Sequence, residues 1–180
     1  MRSQLLTGAL AVAATSALVG LGAGTASAQS PDPMTEGTSH ERGTLIECTG
    51  TVGDTPVRAN IYQNRTFGNF LELLVADGTP DEAGASLEKK KPFVTGTKVR
   101  AAAKVGGHRL TITGTAKPTG ETEHIREVIP NDGGLRIVTT GTHLLLAPVL
   151  TATYDGETGA LTCDNAFRFR LKVTKTSIVD

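Results

Sequence analysis

Between positions 97 and 117 apolar and polar residues alternate with a period of two, and the alternation passes through Gly106-Gly107 without losing phase. Successive side chains of a strand point to opposite faces, so the pattern predicts a β-hairpin whose two glycines supply the positive φ angles of the turn. Pairing about that turn sets Val99 opposite Gly114, Ala101 opposite Ile112, Ala103 opposite Leu110 and Val105 opposite His108 on one face. The other face pairs Lys98 with Thr115, Arg100 with Thr113, Ala102 with Thr111 and Lys104 with Arg109. One side is apolar and the other basic and hydroxylated, as in an antiparallel sheet with one wet face.

The same alternation recurs near the C-terminus, where Phe167, Phe169, Leu171 and Val173 interleave with Arg168, Arg170, Lys172 and Thr174. It predicts a half-buried strand with its cations toward water. Earlier strands are expected from Leu45 to Val52, through Val57, Ala59 and Ile61, and from Phe70 to Val75. Residues 77–91 are polar and end in Glu88-Lys89-Lys90-Lys91, so a surface loop is expected there. Leu135 to Thr139 and His143 to Tyr154 supply two further strands, with Pro148 at an edge or a bulge. Residues 121–129 (ETEHIREVI) fit either a helical turn, through Ile125, Val128 and Ile129, or a strand. The hairpin signal Asn131-Asp132-Gly133-Gly134 and flanking strands favour the strand. Thr-Gly-Thr occurs four times at unequal intervals, which indicates glycines at bends or close approaches rather than a repeat architecture.

Upstream the pattern changes character. Leu5 to Leu21 is almost wholly apolar, Arg2 precedes it, and Ala26-Ser27-Ala28 follows. This is the layout of a secretory signal peptide over residues 1–28, with cleavage between Ala28 and Gln29 and no membrane span in the mature chain. Residues 29–43 are rich in proline, glycine and charge, so a flexible arm is expected, with a single β domain over 44–180.

Composition narrows the class. The 18 Lys and Arg residues balance 18 Asp and Glu residues, so no global field marks nucleic acid as the partner. Tryptophan is absent, which weakens readings built on tryptophan platforms for sugars or vitamins. The Ala, Gly, Thr and Val bias suits an exported bacterial protein. Cys48 and Cys163 are the two cysteines, and in an oxidising compartment a disulfide is the simplest outcome. These features together predict an all-β antiparallel barrel or sandwich of eight to ten strands, closed by that bond.

Chemistry is harder to find. The chain has no G-x-S-x-G, Walker or H-E-x-x-H motif, and no catalytic residue, metal or cofactor is expected. The one metal alternative joins His124 to Glu121, Glu123 or Glu127, without a second histidine at ligand spacing. The strongest candidates for binding are two basic stripes: Lys98, Arg100, Lys104 and Arg109 on the hairpin, and Arg168, Arg170 and Lys172 on the last strand. If adjacent, they would form one patch for a polyanion such as a wall teichoic acid. The expectation is therefore a secreted or cell-wall-associated, noncatalytic binding protein for a small ligand, an anionic wall polymer or an extracellular protein. A hydrolase inhibitor, with residues 86–93 as bait, is one form of it. The alternatives are a small secreted enzyme and a structural or stress protein of the cell envelope.

Overall fold

The computed structural model describes residues 35–76 and 83–178; the signal-like segment, the Ala28–Gln29 junction and residues 29–34 lie outside them. Nine strands form the fold: β1 (Gly37–Val52), β2 (Thr55–Asn64), β3 (Gly68–Val75), β4 (Ala83–Lys89), β5 (Val94–Thr95), β6 (Lys98–Val105), β7 (His108–Asp132), β8 (Leu135–Tyr154) and β9 (Glu157–Ser177). They make a single antiparallel sheet in the order β4-β3-β2-β1-β9-β8-β7-β6-β5, curled into a half-barrel. From β1 at the centre the strands meander outward to β4, cross to the opposite edge at β5 and meander back until β9 lies beside β1.

That crossing explains the curl. In a flat sheet β4 and β5 would stand eight strand spacings apart, about 38 Å. The connection from Lys89 to Val94 spans about 18 Å at most, so the two edges must approach. The connection is then held down: Gln63 accepts from the Val94 amide and donates to its carbonyl, and the Arg100 amide donates to the Phe93 carbonyl at 2.8 Å. Phe93 is buried beneath it.

Inside the curl lies one apolar cluster built from alternate residues of the strands, including Ile46, Ile61, Leu71, Leu73, Leu110 and Ile112. Ala101 and Ala103 are buried in it, so these small residues let the walls pack closely. The hairpin pairs as its alternation predicts at every position from Lys98–Thr115 to Val105–His108. The Cys48–Cys163 disulfide spans 115 residues and joins β1 to β9 at directly opposed positions, beside a bulge at Glu47/Cys48. The first and last strands are thus neighbours, but at the middle of the sheet, and its two unpaired edges, β4 and β5, are brought together by the curl, with β4 lying against β6.

Four sequence expectations change. Residues 37–43, expected in the arm, belong to strand β1, because β9 runs on to Ser177 and offers them a hydrogen-bonding ladder that composition does not reveal. The loop expected over 77–91 contains strand β4, paired with β3 from Asn69–Lys89 to Val75–Ala83. The separate strands expected before and after residue 120, and before and after Gly141, are each one long strand, β7 and β8. Residues 121–129 are accordingly strand. Pro148 sits where β8 slips register against β9. Gly141 (φ +157°) and Gly114 (φ +146°) lie where a Cβ would run into the carbonyl oxygens of Arg170 and Val149 on adjoining strands, so both Thr-Gly-Thr glycines serve close approach.

Candidate functional site

Strands β7, β8, β9 and β1 outrun the core. Past its end the sheet carries two distinct faces, which follow from alternation and register. On the core-side face, Arg42 stands opposite Arg170, and Arg170 opposite Thr142, which faces His124. The next row runs His40, Lys172, Thr140, Arg126. On the other face lie Phe167, Phe169 and Leu171, together with Tyr62 across the sheet.

The alternation expected on β9 holds, with Phe169 and Val173 buried and Arg170 and Lys172 exposed, but the strand's buried side is not the one that faces the main core. Its aromatic side points away from the main core, and its basic side shares the core's face. The aromatics form a cluster of their own: His143 stacks on Phe167 at 3.8 Å between centroids, and Tyr62 on Phe169 at 5.8 Å. Phe169 and Val173 are buried there. Burial lowers the pKa of His143, against the opposing pull of Glu123, and burial raises that of the Tyr62 phenol. The Tyr62 hydroxyl accepts from Asn64, which also donates to Glu41 at 2.8 Å.

Where the core ends and the basic face begins, the half-barrel mouth opens as a cleft of about 1150 Å³. Six cations line it, Arg42, Arg65, Lys89, Lys90, Arg168 and Arg170, with one carboxylate, Glu88. Thr44, Thr122 and Thr142 add hydroxyl groups, and Gln63 and Asn69 add amides. The walls are braced: Asn69 donates to the carbonyls of Lys89 and Lys90, the Arg65 amide donates to the Arg42 carbonyl, and Arg168 donates to the Gly96 carbonyl. Lys89 lies over the Phe93 ring at 5.8 Å. Among the described residues none of the six cations is within ion-pair distance of a carboxylate.

The sequence-predicted residues divide. Arg168 and Arg170 line the cleft, and Lys172 continues their row along β9. Lys98, Arg100, Lys104 and Arg109 are exposed on the opposite, convex face, because their neighbours Val99, Ala101, Ala103 and Leu110 point into the core. The two stripes therefore do not form one surface. His124 points to the face opposite Glu123 and Glu127, which removes the arrangement a shared metal would need. The proposed bait over 86–93 is tied into β4 and the anchored crossing. Sequence reasoning missed Arg42 and Arg65 and placed Lys89 and Lys90 only in the bait segment, since the topology alone brings all four into the cleft beside β9. Scans against protein-family models and searches of curated proteins and of solved structures find no match to this chain.

Proposed function

We propose that this chain is a secreted, noncatalytic binding protein whose cleft holds an anionic polymer of the bacterial cell wall. The observation that carries this reading is Arg42 directly opposite Arg170 in a cleft lined by six cations and one carboxylate. Like charges facing each other across paired strands cost stability, and nothing in the fold requires them. A polyanion supplies the missing counter-charge. Four of the six cations are guanidiniums, whose planar forks match phosphate and carboxylate groups.

The apolar N-terminal run with its Ala26-Ser27-Ala28 site, together with the disulfide, supports export. No helix of the described residues is long and apolar enough to cross a membrane. The test is retention of the mature chain on purified cell walls across a salt series. Retention should be firm at low salt and collapse as the screening length shrinks from about 8 Å at physiological salt toward about 3 Å at 1 M. No retention at low salt, or retention indifferent to 1 M salt, contradicts the reading.

A further inference from the structure

The basic face continues beyond the cleft as a track. Arg168, Arg170 and Lys172 recur at two-residue steps on β9, so their Cα atoms lie about 7 Å apart along the strand. Arg42 and His40 flank them on β1, and Arg126 lies two strands away in the Lys172 row. A single extended chain bearing one negative charge per repeat fits this spacing if its repeat has as many backbone bonds as two residues of extended polypeptide. A phosphodiester chain linked through three carbons meets that condition.

Nucleic acid meets it too, and the rest of the face discriminates. Proteins that hold single strands without sequence preference stack bases on aromatic rings. Here Tyr62, Phe70 and Phe167 all project from the opposite face, and Phe169, which borders the cleft, turns its ring to that side against Tyr62. Apart from the imidazoles of His40 and His124, what the track offers between its cations is mainly hydroxyl groups: Thr44, Thr122, Thr140, Thr142 and Thr174 share its face. Gly141 lets Thr140 and Thr142 present theirs from a stretch of β8 pressed close against β9. Guanidinium groups pair with phosphates, and threonine hydroxyls donate to or accept from a polyol.

We infer that the ligand is a linear polyol phosphate, a chain of phosphodiester-linked glycerol-type units without bases, laid along β9 from the cleft toward Lys172. This inference rests on the polyanion reading above and names its ligand. The mature full-length chain is titrated with poly(glycerol phosphate) of graded length, with oligothymidylate of equal phosphate number and with inorganic polyphosphate. Affinity for poly(glycerol phosphate) should rise at least tenfold from one repeat to about four and then level off, and should exceed that for oligothymidylate. Replacing Thr140 and Thr142 together by Val should lower poly(glycerol phosphate) affinity roughly tenfold, the worth of about two hydrogen bonds, and leave polyphosphate affinity unchanged. Replacement by Ser should restore it, which separates lost hydroxyls from a damaged fold. Oligothymidylate binding as well or better, or a valine variant that weakens both polymers alike or neither, overturns the assignment while leaving polyanion binding intact. Binding of none of the three polymers overturns both.

Discussion

At residue scale the two most informative positions on β8 are Gly141 and His143. A methyl group at 141 meets the Arg170 carbonyl, and φ of +157° is unfavourable for any side chain. Gly141→Ala should therefore cost about 2 kcal/mol or more, visible as a lower urea midpoint at unchanged slope. An unmoved midpoint would mean the two strands can part without loss. His143 stacks on Phe167 with its pKa lowered by burial, partly offset by Glu123. In the unfolded chain it takes up a proton near pH 6.5, but the folded state resists. Its contribution to stability is thus complete above about pH 6.5 and is lost as pH falls through the folded value. His143→Phe should flatten stability between pH 7 and 5 while keeping the stack; an unchanged pH profile contradicts this. The sequence shows His143 at the head of an apolar run, but not the ring it meets, because that neighbour lies on another strand.

At element scale the hairpin was legible in full, since its register depends only on alternation and a two-glycine turn, both local. Its faces make a sharp contrast. Ala101→Arg places a charge in the core and should cost about 3 kcal/mol or more, whereas Arg100→Ala on the exposed face should fall within about 0.5 kcal/mol of wild type. Equal effects of the two in thermal unfolding would contradict the assigned faces. The disulfide was legible from two cysteines and a signal-like leader, and replacing both cysteines by alanine should lower stability by about 2–5 kcal/mol, read from unfolding in urea. By contrast, β4 and the first seven residues of β1 were not legible. Their sequences are polar and glycine-bearing, and they are strands because an adjoining strand supplies the ladder. Gly141 looked like a break because glycine marks turns more often than close approaches, and Gly120 lies in the register shift between Pro118 and Thr122, which β7 runs through without ending.

At the scale of the molecule, a short crossing between β4 and β5 bends nine strands into a half-barrel, and four strands longer than the core carry charge past its end. Past the end of the core Arg42, Arg126, Arg170 and Lys172 lie on the core-side face, while Glu41, Glu123 and Glu127 lie on the other. Such segregation leaves the net charge at zero, so composition conceals it. Alternation exposed both basic stripes but could not say that they point to opposite sides, nor that Arg42, Arg65, Lys89 and Lys90 join only one of them; those relations depend on the order of strands. The most direct test compares two triple variants for binding to an anionic wall polymer across a salt series. Replacing Arg42, Arg168 and Arg170 by Ser should remove most of the affinity and cut the slope of log affinity against log salt by up to about three contacts. Replacing Lys98, Arg100 and Lys104 by Ser removes the same charge from the convex face and should leave the slope close to that of wild type. If the convex variant loses binding and the cleft variant keeps it, or if both lose it equally, the cleft is not where the polyanion lies.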